Sequence, residues 1–506
     1  MFTEIKGVIS KDRNLRLILL AGLIIQLIVA YTATGSYHPD QHFQIIEFSS
    51  YQMATPNGAA ALWEFYNPVR PTLQIYSFSG WHYLISAVGI DNPYTELTIL
   101  RIILGMGMFF LFNAIAIYYF KDAQKKILYS VLIILNFSWF LPYVKVQFSS
   151  EIVSALFFFG TAWLYDIKKD KSPSLAFLMT IGFLFSLAFY FRFQVGFLLV
   201  GFGIWLIFVA KKPTHILPLA VGFIIGAVLN TWMDHEFYHR LVITPYEYYY
   251  ANIVEKRAAL FGTSSFLRYI GLFVAVVTVP PISLILFYYA IKGFFKNYTH
   301  LLFLTTMLFI LAHCFVGHKE ERFMFPILFI LPIWIGWGLP SLFSYYSRAS
   351  KGFRYFINSI LIFSVTLNGL LLVLLILNPY SQSIHFTELL NAQLNKPGNT
   401  IRVYCYRRTP FETPGKSPYI FYQRYFTHME VIRLNSSDSI KLLEGPNTYL
   451  AATFDEIMPE KKMIDSLGYT PVLYSSNLLW NIDEYLYSKK KHPINDIWVL
   501  YKKGSK

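Results

Sequence analysis

The sequence predicts a mostly α, polytopic membrane protein that carries a small C-terminal α/β domain. Three observations predict it. The 506-residue chain is 55% hydrophobic and 19% aromatic but only 14% charged, whereas a soluble domain carries roughly 25% charged residues. Apolar runs near the ~20 residues that cross a bilayer as a helix recur through the first three-quarters of the chain. From about residue 380 onward, short runs alternate apolar and polar residues, the period of half-buried strands.

The apolar runs lie at 16–34, 97–120, 127–143, 150–166, 173–191, 194–210, 214–232, 266–291, 299–317, 323–344 and 355–378, which predicts about eleven transmembrane helices. The first run is long for a signal peptide and no small-residue cleavage site follows it, so it is read as a retained helix. The net charge of +14 would point to nucleic acid in a soluble chain. Here the Lys and Arg residues fall in alternate connections (Lys6 to Arg16, Lys121 to Lys126, Lys168 to Lys171, Lys211 and Lys212, Lys292 and Lys296, Arg348 to Arg354). The positive-inside rule makes that face cytoplasmic. Nucleic acid is therefore no expected partner; membrane lipid is. The N-terminus is expected inside, and an odd number of spans puts the C-terminus outside.

The other connections hold the unusual sequences: 38–70, 145–151, 192–194, 234–268 and 318–322. All candidate chemistry thus gathers on the extracytoplasmic face. Strand-like runs at 400–406, 429–434, 448–454, 471–474 and 497–501, with helix-like pieces at 386–394 and 461–467, predict the outer α/β domain. The expected division is a membrane domain over 1–379 and an extracytoplasmic domain over 380–506. Cys314 sits in an apolar run and Cys405 in the C-terminal part, which argues against a disulfide framework.

Tyr37-His38-Pro39-Asp40-Gln41-His42-Phe43-Gln44 follows directly on the first span. Pro39 suits a first helical position, and an acid in the first turn complements the helix dipole. A short helix from Pro39 would set Asp40, Gln44, Glu47 and Tyr51 along one stripe. Asp40 then either stabilises the helix start or acts as a general base at the membrane rim, deprotonating an attacking hydroxyl. Further on, Trp63-Glu64-Phe65 and Arg70 follow. Trp63 and Tyr66 suit interfacial anchoring, and the planar fork of Arg70 suits a phosphate. Arg101 and Arg192 lie near outer helix ends, where snorkelling or phosphate contact both fit. Glu151 and Lys145 could pair structurally.

His38-Pro39-Asp40-Gln41, Phe43-Gln44, Glu47, Trp63-Glu64-Phe65 and Arg70-Pro71 together resemble the first lumenal loop of family-22 glycosyltransferases. His318-Lys319-Glu320-Glu321-Arg322-Phe323 with Pro326 resembles that family's late His-Lys-Glu-x-Arg-Phe motif. Asp234, Phe237-Tyr238, Thr244-Pro245, Asn252 and Phe261-Gly262 are similar to its central lumenal loop. The resemblance covers roughly 15–345. It implies a GT-C fold and inverting transfer of mannose, without metal or other cofactor, from a polyprenyl-phosphate donor to a glycan or glycolipid acceptor. Asp40 matches the family's catalytic acid. The resemblance further implies substrate contacts from His38, Gln41, Glu47, Trp63, Glu64, Arg70, Arg192, His318, Lys319, Glu320 and Arg322. Gln41 stands where Glu is common, Phe48 where Pro often follows the Glu, and Pro71 where Ser is usual. These departures and the short loops mark a divergent, bacterial member with its active site facing the periplasm; a eukaryotic member would sit in the ER membrane.

Two rival readings come from the residues. His235-Glu236-Phe237-Tyr238-His239 fits His-Glu-x-x-His, in which two His one turn apart hold zinc and the Glu activates water. Such a membrane metalloprotease needs a third ligand, and none with family-like spacing is evident, although Asp234 and His313 exist. A transporter or lipid flippase also has many helices, but would carry ionisable groups near the bilayer midplane or paired broken helices. The spans here are mostly clean, and Pro280-Pro281 breaks only one.

Overall fold

A computed structural model describes residues 2–50, 52–53, 63–398, 400–413, 417–443, 448–489 and 496–504. Tyr51 therefore lies outside the described residues, as does the side chain of Trp63. The chain forms two compact units. One comprises Met1–Tyr31, Ala60–Trp81 and Ile99–Ile376; the other gathers Thr32–Ala59, His82–Thr98 and Leu377–Lys506.

The first unit is helical. Among the described residues, four helices are long and apolar enough to cross a membrane: Arg13–Thr32, Pro93–Phe120, Pro213–Tyr238 and Lys351–Leu377. Two bent pairs, Ile282–Lys296 with Leu301–Phe315 and Glu321–Leu328 with Leu331–Arg348, bring the number to six if each is one span. The protein is a multi-pass membrane protein. Every one of the eleven apolar stretches overlaps helix, but several are interrupted. The stretch 266–291 divides into Arg268–Val277 and Ile282–Lys296 around Pro280 and Pro281, since proline lacks the N–H that would continue the helix. Helix Leu73–Ala87 was not anticipated; its polar positions conceal a continuous apolar run.

Small residues let the helices approach closely, as lipid-embedded pairs require. A Cβ at Gly182 would collide with the carbonyl of Leu219, and one at Gly222 with that of Met179. Leu175–Phe191 and Ile216–Tyr238 therefore pack backbone to backbone. Their ends carry Arg192 and Asp234.

The second unit holds the small α/β domain. Its strands are β1 (Ile401–Tyr406), β2 (Met429–Leu434), β3 (Thr448–Thr453), β4 (Tyr469–Tyr474) and β5 (Trp498–Lys503). They form one sheet in the order β2-β1-β3-β5-β4. β1 runs parallel to β2 and β3, while β5 is antiparallel to β3 and β4. The central β3 is buried at every position, as a strand covered on both faces must be. Leu450, Ala452, Phe454, Trp480 and Val499 centre its core. All five strand-like runs became strands. Helices Gln382–Leu394 and Lys461–Ser466 match the helix-like pieces, and Asn477–Ser488 is an addition.

Candidate active site

In the second unit, Pro39 opens a three-residue helix, Pro39–Gln41, that continues as a π-helix over His42–Glu47. His38 caps it: its Nδ1 accepts the Asp40 N–H at 3.2 Å. Gln41 completes the capping box by accepting the Tyr37 N–H at 3.1 Å and the His38 N–H at 3.4 Å through Oε1. An amide oxygen accepts as a carboxylate would, so Gln at this position keeps the cap. The Asp40 side chain is 35% exposed, with His38 Nδ1 3.8 Å from its Oδ1. Of the two acids on this short helix, it is the more exposed. The π-turn breaks the expected stripe. Gln44 and Glu47 are buried, and Glu47 Oε1 accepts from His42 Nε2 at 2.7 Å and from the Phe421 N–H at 3.1 Å. Tyr419 packs on the same segment, its ring 5.0 Å from that of His42. Burial, with Asp496 and Glu47 adding to it, pushes its phenol above the usual range, so it stays neutral.

The first unit builds a cationic cluster from helix ends. Ser149 caps the helix Ser150–Lys168 and places Glu151 in its first turn, where the dipole favours an anion. Arg192 ends the helix Leu175–Phe191. Its Nη1 lies 2.7 Å from Glu151 Oε1 and donates to Ser150 Oγ at 3.1 Å. Arg322 Nη1 lies 3.9 Å from the same carboxylate oxygen, while its Nε donates to Glu320. The Phe323 ring lies within cation–π range of both guanidiniums, 5.2 Å from Arg192 and 5.5 Å from Arg322.

His318 Nδ1 meets the Gly262 carbonyl at 2.9 Å and Nε2 meets Glu320 Oε1 at 2.8 Å. The ring thus bridges a backbone carbonyl and the Glu320 carboxylate, both acceptors. Lys319 is buried and donates to the Val316 carbonyl. Three cationic side chains, Arg192, Arg322 and Lys319, thus stand with two carboxylates, Glu151 and Glu320. The arrangement carries a surplus of positive charge in a largely dry setting, where it attracts an anion strongly. Glu151 does not pair with Lys145. That buried lysine instead donates to the Leu135 carbonyl at 2.8 Å and to Asn136 at 3.2 Å. Nor does Arg192 snorkel: it is 7% exposed. Arg101 turns inward as well, donating to the Ala30 carbonyl at 3.0 Å.

Nearby in sequence to the first loop, Glu64 Oε1 accepts from Arg70 Nε at 3.0 Å and Nη2 at 2.8 Å. The Arg70 carbonyl accepts from Tyr238 OH at 2.9 Å. Asp234 is a staple: it accepts from the Thr72 N–H at 2.8 Å, Thr72 Oγ1 at 2.7 Å and Thr244 Oγ1 at 2.6 Å. The zinc motif fails on geometry. His239 leaves the helix at φ +53, so it does not share a face with the exposed His235, and Asp234 points to the threonines. Among the described residues no three His, Cys, Asp or Glu side chains converge.

A helical membrane unit with a charged cluster at its helix ends, joined to a small α/β domain, defines a class of polytopic membrane proteins. Comparison with known proteins makes this particular. The sequence matches the Alg9-like mannosyltransferase family over residues 17–417, and the chain belongs to that family. GPI mannosyltransferase 3 of Yarrowia lipolytica is 23% identical over 310 residues, 60% of this chain and 58% of that protein. GPI mannosyltransferase 3 of Candida albicans is 28% identical over 129 residues, 25% of each chain. The chain thus aligns with 58% or less of the length of these relatives. Among solved structures, ArnT from Cupriavidus metallidurans bound to undecaprenyl phosphate shares 8% identity at a TM-score of 0.49, covering 98% of this chain and 100% of that one.

Proposed function

We propose that the chain transfers mannose from a polyprenyl-phosphate-mannose donor to a hydroxyl of a glycan or glycolipid acceptor, with inversion. The acceptor oxygen bonds to the anomeric carbon as the bond from that carbon to the phosphate oxygen breaks. Asp40 takes the acceptor's proton, and polyprenyl phosphate leaves with the electron pair. The observation that carries this reading is the pair of guanidiniums sharing Glu151, with Lys319 and His318 on the adjoining turn. Arg192, Arg322, His318 and Lys319 offset the second negative charge that develops on the departing phosphate. Arg192 and Arg322 are held in place before any donor arrives, so little reorganisation accompanies the step. Glu64 and Arg70, paired with each other, serve substrate contact in this reading, as do His38 and Gln41 at the Asp40 cap.

Family membership supports a sugar transfer, and the name shared by the relatives supports mannose and makes a glycolipid the first acceptor class to try. The transfer is assigned to the extracytoplasmic face, with the N-terminus cytoplasmic. Purified full-length protein incubated with polyprenyl-phosphate-mannose and a panel of glycolipid and glycan acceptors should release polyprenyl phosphate and give a mannosylated product. Release from no donor–acceptor pair, with the protein folded, overturns the reading.

A further inference from the structure

The helix that Pro39 opens, which carries Asp40, is gripped at its far end by the C-terminal part of the chain, within the same compact unit. Glu47 and His42 are each 1% exposed. The π-turn aligns residues five apart, which brings the His42 ring to Glu47. One Glu47 oxygen accepts from both His42 Nε2 and the Phe421 N–H. The His42 ring stacks on Tyr422 with centroids 5.4 Å apart and planes 12° from parallel. Phe43 stacks on Tyr419 at 5.4 Å and 17°. Tyr422 is itself backed by Tyr94, stacked at 5.2 Å, whose hydroxyl donates to Thr387 at 2.8 Å.

This grip costs stability. The second carboxylate oxygen of Glu47 is buried with no hydrogen-bond partner among the described residues, and an unsatisfied buried acceptor is destabilising. A π-turn is rare and concentrates at functional sites. An apolar residue at 47 would fill the space without either feature. Neither is needed to hold the sheet, whose core lies around β3.

We propose that Tyr419–Tyr422 of the C-terminal part, acting through His42 and Glu47, is a positioning clamp that fixes the Asp40 carboxylate for the transfer. His42, Glu47 and Tyr422 are positioning residues: they touch the helix, not the reacting atoms. The proposal rests on Asp40 being the base. A displacement of about 1 Å at a reacting group can lower a rate by about a hundredfold, so a loosened clamp should act on kcat.

The test uses the full-length protein with Tyr422→Leu, Tyr422→Phe, Glu47→Gln and Asp40→Asn. Readouts are kcat and donor KM, measured well below each variant's unfolding temperature, together with hydrogen exchange of the amides at 39–48. Tyr422→Leu should lower kcat about ten- to a hundredfold with donor KM within about twofold, and should speed exchange at 39–48. Tyr422→Phe keeps the ring and should restore both. Glu47→Gln should show the same pattern in milder form. Wild-type kcat in both Tyr422→Leu and Glu47→Gln overturns the proposal, as does a kcat loss in Tyr422→Leu that the Phe variant shares. Asp40→Asn separates the two readings. Full turnover in that variant removes the base assignment by itself, while exchange at 39–48 in Tyr422→Leu still decides whether the clamp holds the helix.

Discussion

The Glu151 carboxylate lies 2.7 Å from an Arg192 guanidinium nitrogen, and both side chains are buried. One anion here serves two cations, because Arg322 stands 3.9 Å from the same oxygen. Removing the anion by Glu151→Gln leaves two guanidiniums facing each other out of water. Breaking a buried pair in this way costs about 3–5 kcal/mol. The variant should unfold at a clearly lower temperature in detergent, and an unchanged transition would mean that the cluster is hydrated.

Arg322 offers a fork of donors, whereas Lys would offer a point charge. Arg322→Lys should therefore keep the fold and lower kcat/KM for the donor by about a hundredfold, the effect of losing one aligned donor to a developing anion. Steady-state kinetics at varied donor concentration check this. Loss of donor affinity alone, with kcat intact, would assign Arg322 to ground-state binding.

Asp40→Asn removes a proton acceptor and keeps the side chain's size, while the backbone N–H of residue 40 still donates to the His38 cap. Turnover should fall by about 10²–10⁴-fold, the usual weight of general-base catalysis, with an unchanged unfolding temperature. Thiol labelling adds a topological check. A cysteine at 40 in otherwise cysteine-free protein should react with an impermeant reagent from the extracytoplasmic side; reaction from the cytoplasmic side alone would overturn the assigned face.

Asp12 caps the first span, accepting the Leu15 N–H at 3.2 Å, and it binds Lys125 at 2.9 Å and Tyr129 OH at 2.7 Å. The hydrogen bonds from Lys125 and then Tyr129 pull its carboxyl down from 3.8 to about 2. A depressed acid contributes stability above its unfolded pKa and loses it as pH falls through the folded one. Asp12→Asn should therefore melt below wild type at neutral pH. The gap should close as pH falls from about 4 to about 2, and a constant gap would point to a packing effect instead.

Gly182 sits where helix Leu175–Phe191 meets the Leu219 carbonyl. Gly182→Leu has no room and should separate the pair whose ends carry Arg192 and Asp234. Loss of folded protein on gel filtration is expected, and Gly182→Ala should already lower the unfolding temperature, since even its Cβ meets that carbonyl. Wild-type behaviour of the Leu variant would show that these helices are not in close contact.

Much of the architecture could be read from residue order. Apolar length and charge spacing marked a polytopic chain. The period-two runs marked each of the five strands, because a strand's burial pattern is written locally in its own residues. Pro39 as a helix start and the His-Lys-Glu-x-Arg-Phe turn were legible for the same reason. What escaped was pairing between distant segments. Glu151 reads as a partner for nearby Lys145, yet its partners lie 41 and 171 positions further on, at Arg192 and Arg322. Glu47 reads as a member of one stripe with Asp40, yet a π-turn and the Phe421 amide bury it.

The sequence by itself determined where helices and strands form and which segments hold titratable groups, since periodicity, proline and charge act over a few residues. Tertiary structure alone decided which carboxylate neutralises which guanidinium, and that the loop bearing Asp40 shares a unit with the C-terminal sheet. A buried charge takes whatever partner packing brings within a few ångströms, and distance along the chain has no influence on that choice.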